Sequence, residues 1–194
     1  MKDISYALGL SIASNLRNSG VEALEIEYFT KGVNAILNDE EITMTPDEVN
    51  KILNEYFEGL QKNAEGDNAE SGMVFLAENK NQPGVITLPS GLQYSVIAEG
   101  TGLKATAKNQ VKVHYTGTLI DGTVFDSSVS RGEPAVFGVT QVISGWVEGL
   151  QLMSKGAKYK FYIPSNLAYG AQGAGKMIGP NATLIFDVEL LEIL

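Results

Sequence analysis

The chain contains no cysteine. Disulfides, thiolate nucleophiles and cysteine-ligated metals are thereby excluded, while the compartment stays open because an oxidising one does not demand cysteine. Histidine occurs once, at His114, so no second histidine is present to share a metal or to build a histidine-dependent triad elsewhere. Within a strand pattern it reads as a solvated or hydrogen-bonded side chain. Positive charge is scarce: 14 Lys and Arg stand against 23 Asp and Glu, a formal charge of −9. That balance lacks the basic footprint needed to neutralise phosphates, which argues against nucleic acid and anionic membrane surfaces as partners. No apolar run approaches the roughly 20 residues of a membrane span. The start, Met1-Lys2-Asp3-Ile4, lacks the apolar stretch of a signal peptide, so the chain reads as soluble or as an already trimmed mature form.

What is present divides the 194 residues by texture. Over residues 4–60 apolar side chains recur at helical spacing: Ile4, Leu8, Ile12 and Leu16, then Ile26, Phe29, Val33 and Ile36. A third helix is announced by Thr45 as cap, Pro46 at the first helical position and Glu48 completing a capping box. Its apolar face is Val49, Ile52, Leu53, Tyr56, Phe57 and Leu60. A helical unit of this size buries too little surface to be stable alone, and the simplest cover for its apolar faces is a second copy. Residues 61–91 read as a partly helical connector, with Gly66 and Gly72 leaning it toward flexibility. Beyond Gly84 the period becomes two. Val111, Val113 and Tyr115 alternate with polar residues, as do Ala157, Tyr159, Phe161 and Ile163, and again Ala182, Leu184, Phe186, Val188 and Leu190. Asp121-Gly122 between two apolar triplets signals a hairpin, and residues 144–152 a short helix. The fold class is therefore α+β: a mostly antiparallel sheet over residues 92–194, covered by one short helix, behind an all-α domain over residues 1–60.

One motif misleads. Gly170-Ala171-Gln172-Gly173-Ala174-Gly175-Lys176-Met177 matches a phosphate loop until its last position, where Met177 offers no hydroxyl for magnesium. Gly179-Pro180 follows where that loop needs a helix, so nucleotide binding is rejected. A set of aromatic and aliphatic residues beside glycine turns remains: Tyr115, Phe125, Phe137, Val142, Ile143, Trp146, Tyr169 and Phe186. Taken singly, each is more often plain core than site.

Five stretches decide between these readings. Val113-His114-Tyr115-Thr116-Gly117, Asp121-Gly122-Thr123-Val124-Phe125-Asp126-Ser127-Ser128, Val142-Ile143-Ser144-Gly145-Trp146-Val147-Glu148-Gly149-Leu150, Ala168-Tyr169-Gly170 and Ala182-Thr183-Leu184-Ile185-Phe186-Asp187-Val188-Glu189-Leu190-Leu191 occur in that order. Together they closely resemble the FK506-binding peptidyl-prolyl cis/trans isomerase domain. The helices before them, with Ser5-Tyr6-Ala7-Leu8-Gly9 and Phe75-Leu76-Ala77-Glu78-Asn79, look like the dimerisation segment of the macrophage-infectivity-potentiator branch.

The resemblance implies a half-barrel antiparallel sheet wrapped on a short helix, with a pocket between them and no cofactor, metal or covalent intermediate. Carried over, the catalytic set is Tyr115, Phe125, Asp126, Trp146, Tyr169 and Phe186, with Trp146 as floor. Phe137, Val142, Ile143 and Ile178 would bind substrate, and the Ile143 backbone N–H and the Tyr169 hydroxyl would contact the peptide. Partners implied are proline-containing unfolded or nascent polypeptides, FK506-like macrolides and a second copy of the chain. The implied location is the bacterial envelope, periplasm or outer membrane, with the cytoplasm left open. Two departures bear on substrate preference: Ala135 stands where many relatives carry phenylalanine, and the 173–179 loop carries Ala174 and Met177. The competing class is a proline-binding holdase chaperone with little catalysis.

Overall fold

The first helix, α1 (Lys2–Asn18), and the second, α2 (Ile26–Leu37), form where apolar residues recur every four residues and every three or four residues, respectively. The third, α3 (Pro46–Asn79), begins at the capping box. There the Thr45 N–H donates to the Glu48 carboxylate at 2.8 Å, and the Glu48 N–H donates to the Thr45 hydroxyl at 3.3 Å, satisfying two donors that a helix start leaves open. The computed structural model describes residues 1–21 and 23–194. It divides into two compact units, Met1–Leu60 and Gln61–Leu194.

In the first unit Val21 is the one buried apolar side chain among the described residues. Ile4, Leu8, Ile12, Ile36, Ile52 and Leu53 all stand exposed. A groove of about 800 Å³ runs between Ile12, Leu16, Leu24 and Phe29. The helical pattern thus produces faces that this unit does not itself cover.

In the second unit the rest of α3 is followed by β1 (Val85–Thr87), β2 (Gln93–Ala98), β3 (Thr101–Lys104), β4 (Gln110–Leu119), β5 (Val124–Ser127) and the single turn α4 (Ser128–Arg131). Then come β6 (Ala135–Gly138), α5 (Ser144–Leu150), β7 (Ser154–Lys155), β8 (Lys158–Ile163) and β9 (Leu184–Ile193). The main sheet is antiparallel in the order β1-β2-β8-β9-β4-β5, with β6 also paired to β4. One face is apolar because the two-residue period is kept on β4, β8 and β9: Val111, Val113 and Tyr115 on β4, Tyr159, Phe161 and Ile163 on β8, and Leu184, Phe186, Val188 and Leu190 on β9 are all buried. Each such side chain contributes about 1.5–3 kcal/mol on burial. The β4–β9 register shifts between Lys112 and Val113, a bulge that increases local twist and helps curl the sheet.

Helix α5 fills the concave face. It approaches closely because Gly145 and Gly149 face β8: a Cβ at Gly145 would lie 2.5 Å from Ile163, and one at Gly149 would lie 2.7 Å from the Phe161 ring. The other face of α5 inserts Trp146 and Leu150 into the core.

Residues 61–91, expected as a connector, are helical to Asn79 and belong to the compact unit Gln61–Leu194. The helix passes through Gly66 and Gly72 without a break. Gly72 is buried against Thr183, where a Cβ would collide with the threonine hydroxyl. It serves close approach rather than flexibility. Asn79 is buried as well, donating to Gln93 Oε1 at 2.8 Å, while Gln93 Nε2 donates to the Leu76 carbonyl at 2.8 Å. The lookalike phosphate loop forms a short 3-10 turn (Gly170–Gln172) and a bridge between Ala174 and Ile178, with no α-helix after it.

Candidate active site

Four aromatic rings meet where α5 crosses β4 and β9. The Trp146 ring centroid lies 5.3 Å from Tyr115, 5.8 Å from Phe137 and 5.2 Å from Phe186, each pair edge-to-face. That geometry sets positive ring edges against negative ring faces. Phe125, on β5, closes one wall edge-to-face against Phe186 at 5.5 Å. Gly117 makes room for this pair, since a Cβ there would lie 2.5 Å from Phe125 and 2.8 Å from Phe186. The glycine of the Tyr115-Thr116-Gly117 stretch is a packing requirement of the cavity wall.

The cavity these rings surround has a volume of about 720 Å³. All ten residues singled out in the sequence, from Tyr115 to Phe186, line it. Five further lining residues were not singled out as binding: Gln141, Ala174, Gly175, Lys176 and Met177. Trp146 is buried at the bottom, and its indole N–H has no hydrogen-bond partner among the described residues. Ile143, immediately before α5, accepts from the Trp146 and Val147 N–H groups, while no described carbonyl accepts from its own N–H. Tyr169 sits at the mouth, 41% exposed.

The polar corner of the cavity is a closed set. The Tyr115 hydroxyl donates to one Asp126 carboxylate oxygen, and Arg131 pairs with the other. Arg131 also donates to the Tyr115 oxygen at 3.0 Å, and its guanidinium lies 5.7 Å from the Tyr115 ring centroid. Burial alone would push the Asp126 carboxyl up, but hydrogen bonds from Tyr115 and Arg131 outweigh it and hold the group below the usual carboxylate range. Burial, reinforced by the Asp126 hydrogen bond, pushes the Tyr115 phenol up. Arg131 escaped notice in the sequence. Its signal was the short spacing from Asp126 across the α4 turn, which ends at Gly132 in a left-handed conformation.

His114 lies on the opposite side of β4 from the cavity rings, with its Nδ1 3.0 Å from the Ser128 hydroxyl. The Ser128 oxygen in turn accepts the Tyr115 N–H at 2.8 Å, so the histidine is satisfied and helps tie β4 to the start of α4.

The chain that carries this hydrophobic cage matches a known family. Residues 102–191 match the family model described as FKBP-type peptidyl-prolyl cis-trans isomerase, and residues 1–96 the domain amino terminal to it. A curated relative from Escherichia coli strain K12, the FKBP-type 22 kDa peptidyl-prolyl cis-trans isomerase, is 45% identical, covering 98% of this chain and 94% of its own. The chain belongs to the FKBP-type peptidyl-prolyl cis-trans isomerases. The outer membrane protein MIP of Legionella longbeachae is 40% identical over 98% of this chain and 84% of its own. The crystal structure of FkpA from Escherichia coli superposes with a TM-score of 0.73 at 35% identity, covering 98% of this chain and 95% of that one. The α+β architecture and the isomerase activity implied by the sequence motifs stand with these relatives. As in the family, the reaction is rotation about an X–Pro amide, and proline-containing peptides are its substrates.

Proposed function

We propose that the FKBP-type cavity performs this rotation by desolvation and orientation, with no acid–base step. The observation that carries the reading is the Asp126–Tyr115–Arg131 set, which engages the one carboxylate lining the cavity with two partners. The barrier to be lowered, about 18–20 kcal/mol, comes from conjugation of the amide nitrogen with its carbonyl. That conjugation places negative charge on the oxygen in the planar state, and the charge falls as the bond twists. A cage of Trp146, Phe186, Phe125 and Phe137 therefore favours the twisted, less polar form over the planar one. The Ile143 N–H and Tyr169 hydroxyl hold one side of the peptide while the prolyl side turns. Asp126 and Arg131 act on Tyr115, fixing its ring as a wall.

The exposed apolar faces of Met1–Leu60 support a homodimer. Such a unit is too small to hold its own core, and a second copy covers it by symmetry. Two cavities on one dimer raise the effective concentration for an extended client chain, giving a chaperone activity on unfolded polypeptides. The relative named as an outer membrane protein supports a place in the bacterial envelope. No described helix is long and apolar enough to cross a membrane.

The decisive measurement is the cis-to-trans rate of a short X–Pro peptide with the intact chain, with and without FK506, and with Trp146→Leu. Acceleration lost to FK506 and reduced by at least tenfold in the folded variant supports the cavity as the site. A folded intact chain that binds such peptides without acceleration would put the holdase reading in its place. Sedimentation at twice the chain mass, lost in an Ile12→Lys variant that keeps peptide activity, checks the dimer.

A further inference from the structure

The mouth of the cavity is carried by the loop that holds Ala174, Gly175, Lys176, Met177 and Ile178. Ala174 and Ile178 close it into a small hairpin, with N–H to carbonyl distances of 2.8 Å and 3.2 Å. Glycines flank the hairpin. Gly173 has φ +63°, and a Cβ there would run into the Ile178 carbonyl. At Gly179 a Cβ would lie 2.9 Å from the Asn68 amide nitrogen. Bare backbone at both ends leaves hydrogen bonds to fix the ends of the loop, while Ile178 between them packs partly buried against the core.

Two of those hydrogen bonds join the end of the loop to α3. Asn68, half-buried, donates from Nδ2 to the Pro180 carbonyl at 2.8 Å. Asn181 reaches back to the Glu65 carbonyl at 3.4 Å, and its own N–H donates to the Gly170 carbonyl at 2.8 Å, next to Tyr169. Asn181 is one of two non-glycine residues with positive φ among the described residues, at 55°, a left-handed conformation that asparagine adopts more readily than most. One turn further along α3, buried Gly72 lets Thr183 lie against the helix. The face at Glu65, Asn68, Gly72 and Asn79 follows helical spacing, and these polar or bare positions share it with half-buried Phe75 and Leu76.

We propose that Asn68 is a positioning residue for the isomerase cavity: from α3 it sets the height of the 174–178 rim and the placement of Tyr169. The prolyl ring is taken by the aromatic floor, so the residue before proline is the part of the peptide that meets Met177 and Ile178. Asn68 therefore tunes which residue is accepted before proline. This rests on the cavity being the prolyl site, which the FK506 and Trp146→Leu measurement decides separately.

The test is kcat and KM of the full chain on peptides with alanine or leucine before proline, for Asn68→Ala and for Asn68→Asp, which keeps the size but loses the donor. A second variant, Gly179→Ala, crowds the same amide from the loop side. Asn79→Ala serves as control, because it breaks an anchor of α3 at β2, away from the rim. Removing one hydrogen bond of ordinary strength is expected to change the leucine-to-alanine ratio of kcat/KM roughly three- to tenfold. The change should fall in KM, with kcat within about twofold because the aromatic floor is untouched. The control variant should melt earlier but keep the wild-type ratio. A wild-type ratio in Asn68→Ala and Gly179→Ala would overturn the proposal, as would an equal shift in Asn79→Ala. Should Asn68→Ala fail to fold, the ratio in Gly179→Ala alone decides.

Discussion

Replacing Gly117 by alanine separates packing from catalysis at the cavity wall. The added Cβ would sit 2.5 Å from the tip of the Phe125 ring and 2.8 Å from Phe186. Carbon atoms rest at about 3.5–4.0 Å, so a ring must move by roughly 1 Å. Phe186 is held on central strand β9 between Trp146 and Tyr115, whereas Phe125 is half-buried on the edge strand β5. Phe125 is the ring that yields, and it yields along the cavity. In stability, overpacking costs about 1–3 kcal/mol and a lost aromatic pair about 0.5–1.5 kcal/mol. Stiffening the unfolded chain returns about 0.4–1 kcal/mol. The protein should remain folded, melting several degrees lower, since each kcal/mol shifts a chain of this length by about 2–4 °C. Activity should suffer more, because displacing a positioning group by about 1 Å can cost on the order of a hundredfold. The expected result is a kcat/KM on an X–Pro peptide about 10- to 100-fold below wild type, measured beside a thermal melt. A folded variant with kcat/KM within twofold of wild type would refute the placement of Phe125 in the working wall.

The polar corner makes a pH prediction. Asp126 is held ionised below its ordinary value of 3.8, so the stability it lends is fully present above that pH and is lost as pH falls through the lowered value. The pair is partly exposed and its contribution correspondingly small. A pH–rate break between about pH 5 and 9 that disappears in Asp126→Asn would contradict the proposal that no proton is transferred there. At the other end of the unit, Asn79→Ala leaves the buried Gln93 oxygen without its donor, a loss of about 1–3 kcal/mol. A joint Asn79→Leu, Gln93→Leu variant should recover part of that in urea unfolding, because it removes both polar groups together.

Local patterns in the sequence determined the elements, because each depends on neighbours within a few residues. The Thr45–Glu48 capping box, the Asp121-Gly122 hairpin and the two-residue period of β4, β8 and β9 all act at that range. The aromatic members of the cavity were legible only through resemblance, since periodicity cannot distinguish a wall ring from a core ring. Tertiary structure alone brought Arg131 onto Tyr115, and turned the lookalike phosphate loop into a cavity rim. It also decided the fate of residues 61–79. Glycine and asparagine at Gly72, Asn68 and Asn79 read as weak helix and loose linker when only intrinsic propensity is weighed. Their helix is held from outside, by a threonine that needs the missing Cβ and by carbonyl and amide partners from Gln93 to Asn181. Propensity is a local quantity of a few tenths of a kcal/mol per residue, and partners more than a hundred residues away in the chain outweigh it.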